Sequence, residues 1–195
     1  MTHGPRYGPG MASTRYVALL RGINVGGRNP VAMADLRATF EEGGYDAVAT
    51  YIQSGNVVFE TEAARASVED DIEALLERRF GVPLLVVVRS RAQLRRVVQN
   101  APAGFGAAPD TYHCDVLFLK APLTSRQAMR VVECRDDVDE AWPGAAVLYF
   151  ARLSARRTQS RMSRIIGTSE YQRMTIRNWA TTTKLLAMLD EHRPT

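Results

Sequence analysis

Along this chain, runs in which every position is apolar alternate with segments in which apolar residues recur every three or four positions. Runs of the first kind at 16–20 and 84–88 predict strands, the second of them buried on both faces. Segment 33–42 carries Met33, Leu36 and Phe40 on one helical face and is stopped by Gly43-Gly44. Residues 47–52 and 57–59 predict two strands joined through Ser54-Gly55-Asn56, a natural turn because Gly and Asn tolerate positive φ. A helix over 64–80 follows, burying Val68, Ile72, Leu75, Leu76 and Phe80 and capped by Gly81. The order over 15–89 is therefore β-α-β-β-α-β, the split βαβ of a ferredoxin-like plait.

A helix over 90–100 leads into an Ala/Gly/Pro break at 101–109. Beyond it the pattern predicts a strand at 113–119, a short helix at 125–132, a turn or weak strand ending in Trp142-Pro143-Gly144, and a strand at 145–151. A helix over 157–166, ended by Gly167, and a short extended piece near Arg173 complete the same order a second time. The last helix is expected over 176–191, with Thr175 as its N-cap, Asn178 at N3, and Trp179, Leu186 and Leu189 as its apolar stripe. The expected architecture is α+β: two tandem ferredoxin-like βαββαβ plait subdomains plus a C-terminal helix. The expected organisation is a disordered leader at 1–13, an N-terminal subdomain at 14–100, a linker at 101–112, and a C-terminal subdomain with the terminal helix at 113–195. The first ten residues lack the apolar core of a signal peptide, and Met11 is an alternative initiator to Met1.

Composition narrows the functional classes. Hydrophobic residues at 46% and charged residues at 24% describe an ordinary globular protein. No apolar run approaches the roughly 18 residues that span a bilayer, so no membrane partner is expected, and with no signal-peptide core at the start a cytoplasmic location is expected. Cys114 and Cys134 have neither disulfide-framework nor metal-ligand spacing, and His3, His113 and His192 are scattered. No metal, cofactor or catalytic triad is expected from them.

The net charge is +4, carried almost wholly by arginine, with Lys120 and Lys184 the only lysines. Arg152, Arg156, Arg157, Arg161, Arg164, Arg173, Arg177 and Lys184 form a basic stretch opposed only by Glu170. Arg157, Arg161 and Arg164 would share one face of the predicted 157–166 helix, which suits either a solvated face or a polyanion contact.

The densest candidate site is Arg21-Gly22-Ile23-Asn24-Val25-Gly26-Gly27, at the end of the first predicted strand. Gly22, Gly26 and Gly27 let backbone N–H groups approach a ligand, and Arg21 offers a planar donor array for phosphate or carboxylate. The stretch is neither a P-loop nor a G-x-G-x-x-G turn. A glycine-rich crossover that only permits tight packing is the competing reading. The Ser54-Gly55-Asn56 turn is expected to project from the opposite end of the sheet, away from this loop. Arg177 and Asn178, placed by the pattern at a helix start, favour an anion. The candidate ligand-binding set is Arg21, Gly22, Asn24, Gly26, Gly27, Arg177 and Asn178; no catalytic residue is identified.

Three segments, taken in order, carry a resemblance. They are the Arg21–Gly27 loop, Ser54-Gly55-Asn56-Val57-Val58-Phe59, and Thr175-Ile176-Arg177-Asn178-Trp179 with Thr182, Lys184 and Leu185. Over about residues 14–190 the chain resembles the bacterial domain-of-unknown-function family 1697. The resemblance implies two ferredoxin-like subdomains and no activity, since that family has none established. Where the family commonly has a lysine after the glycine pair, this chain has Arg28, which keeps the positive charge. The expected function is binding of an anionic ligand, whether a nucleotide, a phosphorylated metabolite or nucleic acid. The alternatives are an enzyme acting on a phosphorylated or carboxylated small molecule, and a purely structural or interaction module.

Overall fold

The computed structural model describes residues 13–24, 30–63 and 65–191. The elements run β1 (Thr14–Leu20), α1 (Met33–Glu42), β2 (Asp46–Tyr51), β3 (Asn56–Thr61), α2 (Arg65–Phe80), β4 (Val86–Ser90) and α3 (Arg91–Gln99). They continue with β5 (Tyr112–Leu119), α4 (Ser125–Met129), β6 (Asp139–Gly144), β7 (Val147–Leu153), β8 (Met174–Asn178) and α5 (Trp179–Asp190). Two four-stranded antiparallel sheets result, ordered β2-β3-β1-β4 and β6-β7-β5-β8. Each has the strand order of a ferredoxin-like plait. The leader expected over 1–13 falls outside the described residues apart from Ser13.

The chain divides into two compact units, one formed by the described residues up to Gln93 together with those from Leu185, the other by Leu94–Lys184. The division falls inside α3 and inside α5.

In the first unit, alternate residues of the sheet (Tyr16, Ala18 and Leu20 of β1, Val57 and Phe59 of β3, Val86 and Val88 of β4) pack with Leu36 and Phe40 of α1 and Val68, Ile72 and Leu76 of α2. This is the helical face the sequence periodicity marks. Phe40 meets Phe59 edge-on at 5.5 Å between centroids. The free edge of β4 is closed by side chains rather than by another strand. Val86 N–H donates to Glu73 Oε1 at 2.7 Å, Val88 N–H to Glu69 Oε1 at 2.8 Å, and Ser90 N–H to Gln93 Oε1 at 2.9 Å. The end of α5 is held on β1 by Arg15, whose guanidinium donates to the carbonyls of Leu189 and Glu191 and pairs with Glu60 at 2.6 Å. Leu185 and Leu189 are the fully buried leucines of α5, whereas Trp179 and Leu186 of the expected stripe are half-buried.

In the second unit, Leu117, Leu119, Leu148, Phe150 and Met174 form the sheet's side of the core. Phe105, from the Ala/Gly/Pro break, sits edge-on to Trp142, Tyr149 and Trp179 with centroids 6.1, 5.4 and 5.1 Å away. Tyr149 donates its hydroxyl to the Val97 carbonyl at 2.7 Å.

Two expectations fail here. No continuous helix spans 157–166; 3-10 turns at Ser154–Gln159 and Met162–Ile165 replace it, with Ser160 extended at φ −60°, ψ 143° between them. The cause is Asp139, 22 residues upstream, whose Oδ2 accepts the Arg161 N–H at 2.8 Å and so withdraws that donor from any helix. Arg157, Arg161 and Arg164 therefore do not line one helical face. The last helix also starts later than expected. Residues 174–178 are β8, paired with β5, and Asn178 rather than Thr175 caps α5, its Oδ1 accepting the Thr181 N–H at 2.7 Å.

Candidate functional site

The end of β1 is where the structure concentrates unusual backbone. Leu20 N–H donates to the Gly55 carbonyl at 2.8 Å and Arg21 N–H to the Leu85 carbonyl at 2.9 Å, so the strand end is gripped from both sides. Gly22 at φ +73° and Asn24 at φ +54° then turn the chain out of the sheet. The Asn24 side chain is a clasp. Its Oδ1 accepts the Val31 N–H at 2.8 Å, and its Nδ2 donates to the Val31 carbonyl at 2.9 Å and to the Gln53 carbonyl at 3.0 Å. The chain leaves at Asn24 and returns at Val31 with both ends tied by one amide. Gly26 and Gly27 lie outside the described residues.

These bonds overturn the expected separation of the glycine loop from the Ser54-Gly55-Asn56 turn. Antiparallel pairing of β1 with β3 sets Leu19 opposite Asn56, so the start of β3 necessarily lies beside the end of β1. The approach is close enough that a Cβ on Gly55, which has φ +72°, would stand 2.8 Å from both Leu20 Cβ and Ile23 Cδ1. The β1 end, the β2–β3 turn and the start of β4 thus converge on one rim carrying Arg21, Gln53 and Ser54.

Arg177 and Asn178 belong to the second unit and have local roles there. Arg177 is a strand residue opposite Val116, 7% exposed, with Nη1 donating to Thr175 Oγ1 at 2.9 Å and to the Ile176 carbonyl at 2.8 Å. Burial lowers its pKa to about 10, which leaves it charged at neutral pH. Asn178 is spent on capping. The set found in the sequence therefore divides: Arg21, Gly22 and Asn24 on the first unit, Arg177 and Asn178 on the second.

The sequence offered no reason to single out Arg89, which the structure places opposite Val17 in β4, the register position that Arg177 holds opposite Val116 in β8. Arg89 is 2% exposed and stands 3.7 Å from Glu69. A buried arginine thus recurs at the same point of both plaits. A second overlooked group lies in the second unit, where Asp115 links His113 at 3.1 Å to Arg152 at 3.0 Å. Its signal was available: a carboxylate inside the apolar run 112–119, two residues from a histidine and hence on its face.

Other arginines of the basic stretch are engaged within their own unit. Arg156 donates to Gln159 and the Asp137 carbonyl, Arg164 pairs with Glu133, and Arg173 donates to the Ala121 carbonyl at 3.1 Å. Burial raises the pKa of both Cys114 and Cys134, so neither thiol is activated. No group of three or more His, Cys, Asp or Glu suited to a metal occurs among the described residues.

Fold and rim together define the class: a tandem ferredoxin-like α+β protein with a clasped glycine loop at the end of its first strand. The chain belongs to the family described as protein of unknown function (DUF1697), whose model matches residues 13–149. It is similar in structure to the conserved bacterial protein SP0830 from Streptococcus pneumoniae, with a TM-score of 0.80 and 27% identity over 91% of this chain and 99% of that one. No curated protein matches it significantly. Among the described residues no helix is long and apolar enough to cross a membrane.

Proposed function

We infer that this protein binds an anionic small molecule, carrying a phosphate or carboxylate, at the rim formed by the end of β1, the β2–β3 turn and the start of β4. The observation that carries the reading is the Asn24 clasp, which ties the loop to Gln53 of the turn and makes one rim of two segments. Arg21 supplies the guanidinium at that rim, beside the exposed Gly22 at φ +73°. A small anion is favoured over nucleic acid because arginines of the basic stretch are tied to acids and carbonyls of their own unit. A cytoplasmic location is part of the same reading and rests on the two unpaired cysteines.

Thermal-shift and calorimetric titrations with inorganic phosphate, pyrophosphate, AMP and citrate test this. At least one should stabilise the protein saturably, and Arg21→Gln should weaken that binding about tenfold or more, equivalent to ~1.4 kcal/mol. Equal responses of wild type and Arg21→Gln, or none from either, would remove Arg21 from the site and end the proposal. A duplex oligonucleotide that binds with a steep salt dependence would instead favour the nucleic-acid alternative.

A further inference from the structure

We propose that a polar row at one end of the second sheet is a ligand site for a hydroxyl-bearing small molecule of the sugar class. The row crosses three strands. Asp139 of β6 stands opposite Arg152 of β7, and Arg152 stands opposite His113 of β5, so the three share one face of the sheet. Further along, that face carries Leu117, Leu148 and Phe150 of the core. In the first unit the matching register position holds Thr14 opposite Thr61, so the charges are particular to the second.

A count of donors and acceptors in the row leaves two buried atoms over. Asp115 uses both oxygens, Oδ1 with His113 Nε2 at 3.1 Å and Oδ2 with Arg152 Nη2 at 3.0 Å. Asp139 Oδ2 accepts the N–H groups of Arg135 at 3.0 Å and Arg161 at 2.8 Å. Asp139 Oδ1 and Arg152 Nε are buried and have no hydrogen-bond partner, and Asp139 as a whole is 5% exposed. Buried polar atoms in folded proteins almost always have partners, so a vacant acceptor and a vacant donor on direct cross-strand neighbours mark a position for a third group.

The chemistry of that group follows from the two atoms. A phosphate or carboxylate would suit Arg152 but confront Asp139, and an ammonium would do the reverse. A hydroxyl serves both, donating to the carboxylate and accepting from the guanidinium. Water has the same dual character, but the row continues to His113, whose side chain is 37% exposed. With Nε2 engaged by Asp115, its Nδ1 is left for a second hydroxyl, and a sugar carries several on one ring. The pair of 3-10 turns that replaces a continuous helix is anchored to one end of the row through the Asp139–Arg161 bond.

The test is a nitrogen-15 NMR titration of the full chain with D-ribose and with D-glucose, following the Arg152 Nε–H, the Arg161 amide and the His113 ring. Saturable shifts confined to these groups are expected from at least one sugar. Asp139→Asn is the decisive variant. Its one oxygen keeps accepting from Arg135 and Arg161, while its amide presents N–H groups where the hydroxyl must donate, so binding should fall at least tenfold with the fold retained. His113→Ala, which leaves Asp139 untouched, should weaken binding as well and serves if Asp139→Asn does not fold. Undiminished binding by both variants would overturn the proposal. So would silence toward both sugars, and a cross-peak from Arg152 Nε–H to a long-lived water would then identify a buried water only. Neutral sugars do not probe the Arg21 rim, so the two readings fail independently.

Discussion

Asn24 donates its side-chain amide to the main-chain carbonyl of Gln53 at 3.0 Å, across 29 residues of sequence. The same amide group closes on both backbone atoms of Val31. Replacing Asn24 with Ala removes three hydrogen bonds and strains a residue at φ +54°, and should cost on the order of 2–4 kcal/mol in urea denaturation. Asn24→Gly keeps the backbone conformation and should recover about 1 kcal/mol of that loss.

Phe105 is presented between Gly104 and Gly106, both at φ +77°, but only one of them is crowded. A Cβ on Gly106 would stand 2.0 Å from Trp179 Cδ1, whereas nothing lies within 4 Å of one on Gly104. Gly104→Ala should therefore cost about 1–2 kcal/mol from backbone strain alone, and Gly106→Ala clearly more, ~3 kcal/mol or above. Tryptophan fluorescence should shift only in the second variant.

Burial raises the Tyr149 phenol above its ordinary pKa of 10.0. The unfolded chain then loses this proton first, so the contribution to stability is whole below pH 10 and falls as pH rises from there through the folded value. Tyr149→Phe should abolish that part of the alkaline decline. Below pH 10 it should cost about 1 kcal/mol, because the Val97 carbonyl loses its donor. Urea midpoints measured on both sides of pH 10 give both effects.

Glu69 has two duties, accepting the Val88 N–H and standing 3.7 Å from the buried Arg89. Glu69→Gln keeps the first and removes the second, and should cost about 1–2 kcal/mol. Glu69→Ala removes both and should cost roughly 3–5 kcal/mol, since it takes the acceptor from the Val88 N–H as well as the charge beside Arg89. If Glu69→Gln loses no stability, the charge opposite Arg89 contributes nothing; if the two variants lose the same stability, the Val88 hydrogen bond contributes nothing.

Strand and helix order is legible in the sequence because each element carries its own period, as Leu36 and Phe40 or Val68, Ile72 and Leu76 show. The failures have long-range causes. Segment 157–166 has helical spacing, but Asp139 takes the Arg161 N–H from another strand. Thr175-Ile176-Arg177 has the residues of a helix cap and of a strand alike, and pairing with Val116 to Phe118 decides for the strand. Of the site, Arg21 and Gly22 are found by composition alone. The meeting of loop and turn needed the β1–β3 pairing direction, and the Asp139–Arg152–His113 row needed the registers of three strands.

Glu73, Glu69 and Gln93 occupy the three outward N–H groups of β4, and this fixes how the first plait can meet other molecules. No incoming strand finds a donor along that border. At the opposite border, the register slip between Asp46 and Ala49 and Ala47 at φ +48° break the ladder a visitor would need. Lateral growth into a larger sheet or a fibril is discouraged on both flanks, so this half of the molecule does not recruit partners by strand addition.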